Sequence, residues 1–319
     1  MAIIDIFNGD ADGLCALVQL RSDQPLKSKL VTGVKRDIQL LNKLKFSEGD
    51  KVTVLDISLE KNIQGLNNAL EAGADIFYVD HHFSGEIPEH KNLNAIINTA
   101  PDVCTSILVN RHLKGKYIEW AIVGAFGDNL KQSALSLAKP LNLSEQDITF
   151  LNNLGTYINY NGYGSNIEDL HFHPEDLYRE ISEYSNPFDF YKHNKSTYEK
   201  LENGYTSDMS SAKKLEPSYK NDHVKVFILP NEGWARRVSG VYSNDLTNQS
   251  PDIAHAVLTK KDNDNFLVSV RAPLSNKVGA DTLCRSFETG GGRAAAAGIN
   301  DLPENELDTF IEKFNDFYS

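Results

Sequence analysis

Cysteine is scarce in this chain: three residues in 319, Cys15, Cys104 and Cys284, with no C-x-x-C pair among them. That scatter argues against a disulfide framework and against a zinc knuckle. Unbroken apolar runs of about 18 residues are missing as well, so no helical membrane span is expected. The opening residues Met1-Ala2-Ile3-Ile4-Asp5 carry neither a basic segment nor a long apolar one. No secretory leader is therefore expected, and the cytoplasm is the simplest location. Basic charge is also in short supply: 32 Lys and Arg stand against 44 Asp and Glu, for a net charge of −12. A protein gripping long nucleic acid usually needs a basic face, because neutralising phosphates supplies most of the affinity. The acidic balance points instead to a small or short substrate, whose phosphates metal ions and a few local cations can hold.

What is present is an ordinary globular composition, 40% hydrophobic and 24% charged, in a chain long enough for two domains. The first half alternates β-rich runs (3–7, 30–34, 52–57, 76–79 and 95–98) with periodic helical stretches (14–20, 38–44 and 62–72). Such spacing predicts βαβ units and a largely parallel sheet. Near-continuous apolar strands fit burial on both faces. A helical region follows over 120–158, then a polar, Tyr-rich stretch over 159–214. A second α/β unit begins with a strand at 224–229, a helix at about 235–246 and a strand at 254–259. The turn Asp262-Asn263-Asp264-Asn265 leads into a strand at 266–270, since Asn and Asp tolerate the positive φ of tight hairpins. The run 290–292 opens an Ala-rich segment, and a last amphipathic helix covers about 304–317. The expected organisation is a catalytic domain at 1–185, a helical connector at 186–216 and a smaller α/β domain at 217–319.

Four acidic clusters follow apolar strands or helices. In Asn8-Gly9-Asp10-Ala11-Asp12-Gly13, a structural reading makes Asp12 the cap of the next helix and Gly13 the bend. An EF-hand fails here, because its twelfth position would be Gln19 and a strand precedes it. Asp56 ends a buried strand and could cap a helix starting near Leu59, yet a lone buried carboxylate is costly unless paired or bound to metal. Asp80-His81-His82 is harder to explain structurally: histidine is the commonest metal ligand, and a neighbouring carboxylate fixes its orientation. Asp128, in Gly124-Ala125-Phe126-Gly127-Asp128, alone reads as a loop or cap residue. Open parallel sheets bind ligands at their carboxyl ends, where Asp10, Asp12, Asp56, Asp80 and His81 all fall. Carboxylates and imidazole gathered there need cations, and that donor set suits manganese at a two-metal site for phosphoryl hydrolysis.

The order N-x-D-x-D-G, strand-end Asp, D-H-H, then G-x-x-x-G-D resembles the four motifs of the DHH phosphoesterases. Val268-Ser269-Val270-Arg271 with Gly290-Gly291-Gly292-Arg293-Ala294-Ala295-Ala296-Ala297-Gly298 is similar to the DHHA1 substrate-binding domain. The resemblance spans nearly the whole chain outside 150–215. It implies an N-terminal parallel-sheet DHH domain plus a smaller C-terminal α/β DHHA1 domain. It further implies two Mn2+ ions, with Mg2+ as a substitute: one on Asn8, Asp10 and Asp56, the other on Asp12, Asp56, His81 and Asp128. Asp80 would orient the histidines, His82 would face the scissile phosphate, and Arg271, Gly291, Gly292 and Arg293 would hold the substrate. Two positions depart from the family: Asn8 stands where His or Asp is usual, and Arg293 where His is usual. The neutral amide weakens the first metal site, while arginine can fork onto a terminal phosphate.

The expected activity is hydrolysis of short oligonucleotides or linear dinucleotides to mononucleotides by metal-activated water. The alternatives are a monoester phosphatase on small nucleotides such as phosphoadenosine phosphate, a RecJ-like single-strand exonuclease, and a catalytically weak nucleotide sensor. The expected partner is the nucleotide substrate and not a membrane; a homodimer is left open. His171-Phe172-His173 reads as structural, the Tyr157–Tyr163 run as packing, and Arg236 and Arg237 as a solvated helix face.

Overall fold

Five apolar runs in the first half pair as parallel strands, and the connections between them decide where the polar residues collect. The computed structural model describes residues 1–319 and divides into two compact units, Met1–Glu202 and Asn203–Ser319. In the first, β1 (Ile3–Phe7), α1 (Ala11–Asp23), β2 (Lys29–Val31), β3 (Lys51–Leu55), α2 (Leu59–Glu71), β4 (Asp75–Asp80) and β5 (Leu93–Ile97) form a sheet of order β2-β1-β3-β4-β5, parallel throughout. The chain leaves β1 toward β2, then returns to β3 and proceeds the other way. The order thus reverses between β1 and β3, which opens a crevice at their carboxyl ends.

Ile4, Ile6, Val52, Val54, Ile76 and Tyr78 alternate along their strands, so one face buries them against Leu59, Leu66, Ala69 and Leu70 of α2. On the other face Phe7 meets Tyr178 of α7 (Pro174–Ser182), ring centroids 5.7 Å apart. Asp5 in the interior strand β1 is buried and paired with Arg21 of α1, which supplies the countercharge such a position needs. Four further helices, α3 (Thr105–His112), α4 (Ile118–Gly127), α5 (Lys131–Ala138) and α6 (Glu145–Gly162), follow the sheet. Ser144 and Asp147 close a capping box at the start of α6. Then come α7, α8 (Pro187–His193) and α9 (Lys195–Ala212), the last spanning the boundary between the units.

One expected helix is absent. The stretch 38–44 forms only a short 3₁₀ turn at Leu41–Lys43. Asn62 of α2 accepts the Leu41 N–H (3.1 Å) and donates to the Ile38 carbonyl (2.6 Å). These bonds replace the intrahelical ones, so tertiary contacts override the local periodicity.

The second unit contains β6 (Tyr219–Lys220), β7 (Val224–Leu229), α10 (Gly233–Gln249), β8 (Ala254–Lys260), β9 (Phe266–Arg271), α11 (Ala280–Arg285), β10 (Gly290–Arg293), β11 (Ala296–Leu302) and α12 (Leu307–Tyr318). Its sheet has the order β10-β11-β9-β8-β7-β6, with β7 and β8 parallel across α10 and the other pairs antiparallel. The glycine run is an edge strand of a hairpin with the alanines that follow it. Gly292 has φ +142°, and a Cβ there would come 2.4 Å from the Ala297 Cα, so only glycine fits. Arg237 is not solvated as expected: its Nε donates to Asp208 Oδ2 at 2.7 Å, and both side chains are largely covered. No helix is long and apolar enough to cross a membrane.

Candidate metal centre

The turn leaving β1 is shaped by where its backbone donors go. Asp10 caps α1: its Oδ1 accepts the N–H groups of Asp12 (3.0 Å) and Gly13 (3.1 Å). The cap is therefore Asp10 and not Asp12. A Cβ on Gly13 would lie 2.3 Å from the Asn8 carbonyl oxygen, so the tight turn requires glycine there. Freed from capping, the Asp12 carboxylate receives the backbone N–H groups of Thr105 and Ser106 at the start of α3, each at 2.7 Å. A carboxylate at a helix N-terminus is favourably placed against the helix dipole.

Asp56 follows β3 with φ +59°, a left-handed conformation in which Asp and Asn are tolerated better than most residues. It does not cap α2; Ser58 does. The Asp56 Oδ1 accepts from the Thr105 hydroxyl at 3.2 Å. Tyr78 donates to the Ile57 carbonyl at 2.7 Å and pins the same loop.

His81 shows the arrangement most clearly. Its Nδ1 lies 3.0 Å from the Val103 carbonyl, which can only accept, so Nδ1 carries the hydrogen. In the neutral ring the Nε2 lone pair then faces three carboxylates: Asp56 Oδ1 at 3.4 Å, Asp128 Oδ2 at 3.8 Å and Asp12 Oδ2 at 3.9 Å. Ligands bound to one ion at about 2.1 Å, with angles of roughly 105–130°, stand ~3.3–3.8 Å apart. The distances from His81 Nε2 lie in or just beyond that range, and the mixed oxygen–imidazole donors suit a divalent cation. Asp56, His81 and His82 also bring ligand atoms within 4.8 Å of one another. Burial, and then the charges of Asp10 and Asp12, push the Asp56 carboxyl well above the usual range.

His82 turns its Nδ1 to Asp80 Oδ1 at 2.8 Å. Asp80 is fully buried, and its other oxygen has no hydrogen-bond partner. Burial alone would lower the His82 pKa, but the hydrogen bond and charge of Asp80 outweigh it and raise the pKa above the ordinary histidine value. The thiols of Cys15 and Cys104 are pushed far up by burial, so neither supplies a thiolate nucleophile.

The Asp10 half of the cluster is different. Lys35, in the loop after β2, places Nζ 2.5 Å from Asp10 Oδ2 and 2.9 Å from Asn159 Oδ1. Burial would raise Asp10, yet the Lys35 ammonium draws it down to about 2. Burial would likewise lower Lys35, and Asp10 holds it well above the ordinary lysine range. Asn8 donates from Nδ2 to the Lys35 carbonyl at 3.3 Å, and its own Oδ1 is buried without a partner. Neither Lys35 nor Asn159 carries a motif signal. The available hint was position: Lys35 follows β2 at the same carboxyl edge as the acidic residues.

Among the other histidines, His171 Nε2 sits 2.7 Å from the Tyr160 hydroxyl, and His173 caps α7. Within the second unit, Arg293 opposes Ala296, which opposes Arg271, which opposes His255, which opposes Lys225. Directly opposed residues share a face, so four basic side chains stand in one row across the sheet. Asn244 of α10 accepts from Arg271 Nε at 2.8 Å, which orients the guanidinium, while Arg293 is exposed at the edge. A Cβ on Gly291 would meet open space, so that glycine leaves the edge uncovered. A cavity of about 470 Å³ lined by Ile3, Lys51, Thr53 and Asp75 opens at the amino ends of the first sheet, opposite the carboxylates.

No curated protein matches the sequence of this chain. The DHHA1 domain family matches residues 222–319. Among solved structures, exonuclease RecJ bound to manganese is 16% identical with a TM-score of 0.60, over 99% of this chain and 89% of that one. RecJ from Thermus thermophilus in complex with Mn2+ is 15% identical with a TM-score of 0.64, over 99% of this chain and 51% of that one. The pGpG-specific phosphodiesterase PggH from Vibrio cholerae is 16% identical with a TM-score of 0.57, over 99% of each chain. The C-terminal part of the chain is thus a DHHA1 domain, and the chain as a whole has the fold of the DHH-family proteins.

Proposed function

We propose that the chain is a manganese-dependent phosphodiesterase that hydrolyses short oligonucleotides or linear dinucleotides to mononucleotides. The observation that carries this reading is the His81 Nε2 lone pair, fixed by Val103 and facing Asp12, Asp56 and Asp128 at 3.4–3.9 Å. A divalent cation held by these four residues would lower the pKa of water and offset the charge that builds on the phosphate oxygens. The protein's own groups do the rest. Asp80 raises the affinity of His82 for a proton, and because Nδ1 is engaged, Nε2 would be the atom that presents a proton to the phosphate or the departing oxygen. Thr105 holds Asp56 in one orientation. Arg271 and Arg293 provide forked donors for a terminal phosphate from one face of the second sheet.

Two features favour a short substrate. The net charge of −12 supplies no extended basic track. PggH, whose name specifies pGpG, is matched over 99% of its length, whereas the longer Thermus RecJ is matched over 51%. The test is a rate comparison with manganese on pGpG, a pentanucleotide, a cyclic dinucleotide and phosphoadenosine phosphate. Fastest release of mononucleotide from the dinucleotide supports the reading. Fastest turnover of phosphoadenosine phosphate would make the chain a monoester phosphatase, and no turnover of any would make it a nucleotide sensor.

A further inference from the structure

We propose that the Lys35 ammonium is a built-in cation occupying the place beside Asp10 that a second metal ion would take, so that the chain binds one divalent ion and not two. The inference deepens the phosphodiesterase reading and rests on it for the remaining ion, held by Asp12, Asp56, His81 and Asp128.

Three independent contacts fix the ammonium. Its Nζ is 2.5 Å from Asp10 Oδ2 and 2.9 Å from Asn159 Oδ1, and it lies 5.2 Å from the centre of the Tyr163 ring. Asn159 and Asp10 are both nearly fully buried and the Lys35 side chain is 22% exposed, so this charge pair is largely covered. The main chain is fixed too: Lys35 N–H donates to the Gly162 carbonyl at 2.8 Å, and the Lys35 carbonyl accepts from Asn8 Nδ2 at 3.3 Å. A carboxylate at position 8 could not make that donation and would turn its charge on a carbonyl. The neutral Asn8 and the cationic Lys35 are thus parts of one arrangement.

Asp10 has little left to offer an ion. Its Oδ1 takes two backbone N–H groups and its Oδ2 takes the ammonium. With a neutral amide at position 8, Asp10 is the one carboxylate on this side besides Asp56. A single positive charge balances it, whereas a divalent ion there would have to displace the lysine from its bond to Asp10. On the other side, the Val103 carbonyl engages His81 Nδ1, so the neutral ring turns its Nε2 lone pair to the remaining carboxylates with no such occupant beside it.

The test is to count metal. After manganese loading and gel filtration, elemental analysis of the unaltered chain should give one ion, with the paramagnetic resonance signal of an isolated Mn2+. The double variant Lys35→Met, Asn8→Asp should give two ions with an exchange-coupled signal. Two coupled ions in the unaltered chain would overturn the proposal and leave the phosphodiesterase reading intact; no ion at all would overturn both. One ion in both proteins, the variant being folded by circular dichroism, would show that Lys35 is not the occupant. The count on the unaltered chain decides even where the substitutions impair folding. As a second readout, Lys35→Met alone should melt several degrees lower without metal and recover more than the unaltered chain when manganese is added. Equal manganese shifts in the two would count against the proposal.

Discussion

The two sheets handle charge in opposite ways. The first gathers Asp10, Asp12, Asp56, Asp80 and Asp128 at strand and helix ends, where turns can be bent to aim each oxygen. The second lines up Arg293, Arg271, His255 and Lys225 across a sheet face, where strand register alone sets the spacing. Turns allow convergence to within 4 Å; a register row holds neighbours about 4.8 Å apart per strand. A convergent acidic cluster suits a small ion, and a spread basic row suits the longer outline of a phosphate ester. On the proposed reading, the contrast separates a place for chemistry from a place for grip.

The sharpest way to break this contrast is to remove the charge that both halves of the acidic cluster share. Asp56→Asn keeps a side chain that tolerates the left-handed backbone, so it isolates charge from conformation. It should cut manganese-dependent hydrolysis by more than about 100-fold, beyond the 10–100-fold typical of losing an outer partner of a metal ligand. The circular dichroism spectrum should be unchanged. A loss under tenfold at saturating manganese would remove Asp56 from the ligand set. Next in size is Arg293→Ala, which should raise KM for dinucleotides with a terminal phosphate by about 10- to 150-fold, the equivalent of roughly 1.5–3 kcal/mol. Substrates without that phosphate should change little. Equal effects on both would move the gripping role away from the basic row.

A third measurement concerns the buried histidine inside that row. Burial, and then the charge of Lys225, hold His255 down at about 4. The unfolded chain takes up this proton near pH 6.5 and the folded one only near 4. The stability this gives is complete above about pH 6.5 and is lost as pH falls toward 4. Between pH 7 and 5 the second unit should lose roughly 2 kcal/mol through this group. His255→Leu should flatten that part of the thermal-melting profile; an unchanged slope would show that His255 does not stay neutral there. The smallest expected effect is that of Thr105→Val, which removes one hydrogen bond to Asp56. Manganese affinity by calorimetry should weaken by about 2- to 10-fold, or roughly 0.5–1.5 kcal/mol. Unaltered affinity would mean that Thr105 does not steer the carboxylate.

The parallel sheet was readable because its strands are short apolar runs at βαβ spacing; the strands expected at 3–7 and 224–229 fall on Ile3–Phe7 and Val224–Leu229. Asp10, Asp12, Asp56 and Asp80 were placed for the same reason, since they end or follow such runs, whereas Asp128 follows the helix α4. Segment 38–44 was misread because Asn62, some twenty residues away, takes over its backbone bonds. Arg237 was misread because its partner Asp208 comes from another helix. Lys35 was invisible for a stronger version of that reason: its partner Asn159 lies 124 positions away, and one lysine in a loop has no pattern. Periodicity reports which face a residue occupies, whereas charge pairing across the fold leaves no trace in local spacing.

The grip of Asp12 on the first two N–H groups of α3 has a spectroscopic consequence. Each of its oxygens sits 2.7 Å from one amide, Thr105 for one and Ser106 for the other. Any event that withdraws electron density from that carboxylate, or turns it, must change the shielding of both protons together. Thr105 and Ser106 therefore form a paired resonance reporter inside the helix layer. With a diamagnetic ion such as Mg2+, their two amide shifts would follow loading of the Asp12 carboxylate residue by residue, without substrate and without turnover.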